Sequence, residues 1–245
     1  AFILNAICRG HSVRRPTGCR AETVDRIATP QSAHFGLIPA AIFRQYVRMN
    51  YLNPESEIQK SGWELPHWQQ GVALQFVTFR LADSLPLSLM REWQAERVQW
   101  LAAHPQPWSE EVGAEYHRMF SARIERWLDQ GMGSCLFVDP DARQVLAECM
   151  MRFESERVIH QAWVIMPNHV HVLFSPKVSM EKLVQAWKGH SARLLGKGPI
   201  WQRDYHDTMI RDENHHANVL RYIRRNPLKA KLAEGKFTLW EKSGN

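Results

Sequence analysis

Apolar residues recur along this chain at two different periods, and the period changes several times. From Gly71 to Arg80 the sequence is β-branched and aromatic, which is strand composition. From Leu89 to Ala103 the apolar residues Leu89, Trp93, Val98, Trp100 and Leu101 fall at roughly helical spacing, with Ser88 placed as an N-cap. His104-Pro-Gln-Pro-Trp108 breaks that helix. A second helix is expected from about Glu110 to Asp129, stopped by Gly131-Met-Gly133. Ser134 to Val138 reads as a short strand. Asp139 then caps, and Pro140 opens, a helix running to about Phe153. Arg157 to Met166 and His169 to Ser175 read as two strands joined tightly by Pro167-Asn168, a hairpin. Ser179 opens a helix whose apolar set is Leu183, Ala186, Trp187 and Leu194, ended by Gly196-Lys-Gly-Pro199. Ile200 to Asp207 is extended or irregular. Asp212 or Asn214 caps a last helix that runs to about Asn226 and bends at Pro227.

Residues 1–48 do not share this patterning. Arg9 to Arg26 reads as loop, Ile42 to Val47 as a short helix, and the folded domain is expected over 49–245. One reading makes Met49 the natural start and the upstream residues an extension that is poorly ordered. No internal repeat is present.

Composition narrows the class. The chain has 245 residues, 44% hydrophobic and 23% charged, enough for one sizeable core. The net charge of +6 suits a polyanionic partner, and the basic residues crowd between Trp187 and Lys231. The four cysteines (Cys8, Cys19, Cys135 and Cys149) show no CxxC pair and favour free thiols in a reducing compartment. No apolar run has the length of a membrane span, and the apolar start is a poor signal peptide because basic residues follow it.

Chemistry enters at Trp163-Val-Ile-Met-Pro-Asn-His-Val-His-Val-Leu-Phe174. Residues two apart on a strand share a face, so His169 and His171 project together with Val170 on the other side. Two neutral imidazoles on a rigid strand are half of a divalent-metal site. The last helix contains Tyr222-Ile-Arg-Arg-Asn226, and residues four apart lie on one helical face. A phenol is a possible nucleophile and an amide oxygen a hard-metal ligand. Two imidazoles and one amide leave positions on an ion such as Mg²⁺ or Mn²⁺ for phosphate oxygens. Tyr205 is the alternative nucleophile, although the residue four on is Met209. His206, Asp207, His215 and His216 are candidate outer-shell groups, and Asn168 reads as a residue that shapes its turn. Lys188, Arg193, Arg211, Arg221, Arg224, Arg225 and Lys229 are candidate phosphate contacts, and Trp201 either stacks on a base or packs in the core.

Taken together, Met166-Pro-Asn-His-Val-His171, Trp201-Gln202 and Tyr222-Ile-Arg-Arg-Asn-Pro-Leu-Lys229 resemble the single-tyrosine HUH transposases, most nearly the REP-associated branch related to the IS200/IS605 group. The resemblance covers about residues 63–240. It implies an α+β fold: a ferredoxin-like antiparallel sheet flanked by helices, with a helical insert after the first strand. It also implies that His169, His171 and Asn226 hold Mg²⁺ or Mn²⁺, and that Tyr222 forms a 5′-phosphotyrosine. The implied substrate is single-stranded or hairpin DNA of the repetitive extragenic palindrome type. The implied setting is the bacterial cytoplasm, with no membrane partner and with monomer or dimer open. Two other classes fit the same residues: a catalytically silent binder of DNA hairpins, and a phosphodiesterase that uses water.

Overall fold

The computed structural model describes residues 50–61, 67–105 and 108–243. The extension expected over 1–48, its short helix, and Cys8 and Cys19 lie outside the described residues.

Two short strands open the described chain, β1 (Gln59–Ser61) and β2 (His67–Gln69), paired as a hairpin. Five longer or later strands make the main sheet: β3 (Gln75–Arg80), β4 (Val158–Ile165), β5 (His169–Pro176), β6 (His206–Met209) and β7 (Thr238–Glu241). Their order is β6-β3-β5-β4-β7, antiparallel throughout. Without β7 this is the ferredoxin-like plan expected from the sequence. The residue pattern marks no strand at β7. This strand extends the β4 edge, where Trp163 and Trp240 pair across the strands as rings 5.9 Å apart and nearly parallel.

Three helices follow β3 before the fold returns to the sheet: α1 (Leu87–Ala103), α2 (Glu110–Tyr116) and α3 (Ala122–Asp129). The single helix expected over 110–129 is continuous but carries a π turn at His117–Ser121. Such a turn misaligns carbonyls, and Trp93 Nε1 donates to one of them, Phe120 O, at 3.3 Å. This insert has its own core of Met90, Trp93, Trp100, Tyr116, Phe120, Ile124 and Leu128. Ser88 does not cap α1, whose N-cap position is Pro86. Val98, assigned to its apolar face, is exposed.

The strand expected at 134–138 is instead a 3₁₀ turn, Leu136–Val138. Cys135 ahead of it takes a positive φ of 46°, which no strand continues. α4 (Pro140–Met151) begins as expected, with the Asp139 side chain accepting from Asp141 N. α5 (Met180–Leu194) is capped by Ser179, although Leu194 of its expected apolar face points to solvent. α6 (Glu213–Lys229) is capped by Asp212 and continues through Pro227 rather than ending at Asn226.

Strand alternation divides the two faces of the sheet. Val77, Phe79, Val170, Val172 and Phe174 pack with Leu146 and Met150 of α4 and Leu183, Val184 and Trp187 of α5. Phe76, Thr78, Arg80, His169 and His171 take the opposite face, toward α6 and α3. Val170 therefore anchors the strand in the core and leaves both flanking imidazoles on the far side.

Candidate active site

The central pairing of the sheet places the first partners. Thr78 of β3 stands directly opposite His171 of β5, and Arg80 opposite His169. Both imidazoles are almost completely buried, with 1% and 3% of their surface exposed. Thr78 Oγ1 lies 2.7 Å from His171 Nδ1, and Asn168 Oδ1 lies 2.8 Å from His169 Nδ1. The Asn168 amide nitrogen in turn donates to Met132 O at 3.0 Å. Asn168 thus does more than shape its turn.

α6 supplies the rest. Asn226 is buried, and its Nδ2 donates to His171 Nε2 at 3.2 Å. The Tyr222 hydroxyl stands 3.5 Å from the same nitrogen. Phe76 holds both rings, lying nearly parallel to His171 and edge-on to Tyr222. The four residues singled out by spacing, His169, His171, Tyr222 and Asn226, are thereby brought together by elements about fifty residues apart in sequence.

The insert closes this group from the other side. Ile124, Glu125, Leu128 and Asp129 of α3 join Phe76, Thr78, His169, His171, His206 and Tyr222 around a cavity of about 30 Å³. That is room for a water or a bare ion. Lys229, one turn past Asn226, pairs with Asp129 at 3.2 Å and with Glu125 at 3.6 Å. Sequence reasoning did not find Thr78, Glu125 or Asp129. A threonine in a strand and two carboxylates on an amphipathic helix carry no local signal.

Burial dominates the electrostatics. It lowers His169 to about 3, with Arg80 and Lys229 adding to the effect and the facing Asn226 amide opposing it. His171 is likewise driven well below the usual histidine range by burial, then by His169 and Lys229. Both are neutral, so each keeps a lone pair for a ligand. His206 is also lowered to about 3, by burial first and Arg80 next. Burial raises the Tyr222 phenol well above its ordinary value, and the Glu125 carboxylate raises it further.

A hard divalent ion fits what is present. Asn226 Oδ1 is buried with no hydrogen-bond partner among the described residues. Turning the amide over would bring that oxygen to the place Nδ2 now takes, 3.2 Å from His171 Nε2. Two ligands at right angles on an ion with bonds of about 2.1 Å stand about 3 Å apart. Among the described residues, no group of three or more His, Cys, Asp and Glu side chains could hold an ion. The donors present are two imidazoles and an amide oxygen, and an ion held there would complete its shell with water or phosphate oxygens.

A second, open cavity of about 240 Å³ runs along α6, lined by Asn218, Arg221, Tyr222, Arg225, Asn226 and Lys229. Arg221, Arg225 and Lys229 are thus on the tyrosine's face. Arg224 is not: it makes a two-pronged contact with Glu241 of β7 at 2.7 and 3.0 Å. Arg211 is exposed just ahead of α6. Lys188 and Arg193 sit on α5, packed against the other face of the sheet, and Lys188 Nζ donates to Arg203 O at 2.7 Å.

Trp201 is not a stacking surface. It is buried between Phe79 and Phe137, and its Nε1 donates to Ser191 Oγ at 3.0 Å. Tyr205 also belongs to the core on the far face from the histidines, stacked on His67 at 3.8 Å. Asp207 accepts from His67 at 2.6 Å and so ties the β1–β2 hairpin to β6, away from the histidines. His215 and His216 lie in the first turn of α6, and His215 N donates to the capping Asp212.

No helix among the described residues is long and apolar enough to cross a membrane. No curated protein matches the chain. Among solved structures, one described as a REP-associated tyrosine transposase bound to a REP hairpin aligns over 71% of this chain and 77% of its own, at 15% identity and a TM-score of 0.41. Residues 136–226 match the model of the family described as "Transposase IS200 like". That segment, rather more than a third of the chain, contains His169, His171, Tyr222 and Asn226.

Proposed function

We propose that the protein cleaves and rejoins single-stranded DNA at hairpins, with Tyr222 as nucleophile and His169, His171 and Asn226 as ligands of Mg²⁺ or Mn²⁺. The observation that carries this reading is the meeting of the Tyr222 hydroxyl, Asn226 and the buried, neutral His171 within 3.5 Å at one nitrogen. A bound ion would polarise the scissile phosphate and neutralise charge developing on it. In the reaction the Tyr222 oxygen bonds to phosphorus and the P–O3′ bond breaks. The 3′-hydroxyl leaves with a proton, and the phenol gives one up. One phosphodiester replaces another, so the step runs either way and permits strand joining.

Arg221, Arg225 and Lys229 give the tyrosine a cationic track for the phosphates on either side. Phe76 and Asn226 hold the phenol where it lies. Tyr205 is set aside as nucleophile because it packs in the core of the opposite face.

The test uses a 3′-labelled single-stranded hairpin oligonucleotide, Mn²⁺ and denaturing electrophoresis. A covalent adduct that survives detergent and disappears in Tyr222→Phe supports the reading. Cleavage with no adduct points to attack by water. Retardation without cleavage points to a silent binder. An adduct retained in Tyr222→Phe but lost in Tyr205→Phe would overturn the assignment.

A further inference from the structure

The two imidazoles share one arrangement. Each has its Nδ1 held by a neutral oxygen from a neighbouring residue, and each leaves Nε2 toward α6 and the cavity. For His169 the oxygen is Asn168 Oδ1. The Asn168 amide cannot turn over freely, because its Nδ2 is committed to Met132 O. Its oxygen is therefore an acceptor, and the proton of His169 lies on Nδ1. Met132 is itself fixed. Next to it Gly133 comes so close to Asp83 that a Cβ would stand 2.4 Å from Asp83 O, and Ser134 N donates to Asp83 Oδ2 at 2.8 Å.

For His171 the oxygen is Thr78 Oγ1, presented from the facing strand position. A hydroxyl can donate or accept, so the other nitrogen decides. His171 Nε2 faces the Asn226 amide nitrogen, which can only donate, and beyond it the Tyr222 hydroxyl, which can do either. Nε2 accepts, and the ring proton again lies on Nδ1.

We propose that Asn168 and Thr78 are positioning residues that hold both imidazoles in the Nδ1–H tautomer, so that two Nε2 lone pairs face the cavity before an ion arrives. The proposal rests on the metal-dependent reading above and deepens it. An imidazole protonated on Nε2 has no lone pair there and is not a ligand. The turn after α3 thus reaches the site through Met132 and Asn168. The insert and the chemistry are thereby coupled.

The test has two measurements, neither of which needs DNA or turnover. Long-range proton–nitrogen spectra of the metal-free protein near neutral pH report which ring nitrogen carries the proton. Calorimetric titration with Mn²⁺ reports affinity. Wild type is expected to show Nδ1–H on both rings. Thr78→Val, which keeps the shape and loses the hydroxyl, is expected to weaken Mn²⁺ by about 10- to 100-fold, the usual cost of removing such a partner. Asn168→Ala is expected to do the same at His169, and Thr78→Ser to restore most of the affinity. A merely structural threonine would not be rescued by serine with the tautomer restored. Nε2–H on either wild-type ring overturns the proposal. So does unchanged Mn²⁺ affinity in Thr78→Val. If wild type binds no Mn²⁺, the metal reading fails, while the tautomer spectra still decide the positioning claim.

Discussion

The two imidazoles are almost completely buried, and that sets their behaviour. An unfolded histidine titrates near 6.5, whereas His169 in the fold is held at about 3. As pH falls below about 6.5 the unfolded chain takes up protons that the native site refuses, so stability drops with pH across that window. We predict that the urea midpoint of the metal-free protein falls between pH 7 and 4, and that His169→Gln flattens the fall. An equal slope in the variant would count against burial as the cause. The arginines of α6 divide by their partners. Arg224 is engaged with Glu241, so Arg224→Ala should cost at most about 1 kcal/mol of stability and leave DNA affinity near wild type. Arg225→Ala, on the tyrosine's face, should weaken binding to any single strand and lower the salt slope by about 0.7, as loss of one phosphate contact does. Fluorescence anisotropy at several salt concentrations separates the two.

Among the elements, the insert has the largest unforeseen role. It was expected as a helical addition after the first strand; its last helix instead forms one wall of the site. Glu125 and Asp129 hold Lys229, and burial raises both carboxyls above their ordinary values. A DNA phosphate approaching α6 competes with them for that ammonium. Glu125→Gln with Asp129→Asn should therefore tighten single-strand binding by about 5- to 10-fold at low salt, a coupling of roughly 1 kcal/mol. Weaker binding in the double variant would show that the carboxylates assist the substrate instead. The turn after α3 is the second contact between insert and sheet. Gly133→Ala must relieve both a positive φ of 84° and the approach to Asp83 O, and should lower stability by about 2 kcal/mol or more, read as a fall in melting temperature.

Over the whole molecule the formal charge is only +6, so affinity for nucleic acid depends on where the charge lies. Arg221, Arg225 and Lys229 share one cavity along one helical face. Three phosphate contacts to a single strand predict a slope of about −2 in log affinity against log salt. A slope near zero would remove this face from the interface. Lys188 and Arg193 lie on α5, packed on the opposite face of the sheet, and are not needed for that figure.

Much of this was legible in the chain because it is local. A two-residue repeat on a strand and a four-residue repeat on a helix each define a face whatever surrounds them, so His169 with His171, and Tyr222 with Asn226, could be paired in advance. Caps at Asp139, Ser179 and Asp212 are likewise short-range hydrogen bonds, and all three stand. The tertiary structure decided what depends on distant neighbours. Trp201 and Tyr205 look available in sequence, yet both are buried on the far side of the sheet, because which face a residue joins follows from strand pairing. Cys135 turns a would-be strand into a 3₁₀ turn through one positive φ. Thr78, Glu125 and Asp129 enter the site only because β3 pairs with β5 and α3 packs over the pair. Sequence by itself determined which side chains travel together on one element. The packing of those elements determined which of them meet, which are buried neutral, and which oxygen holds each histidine.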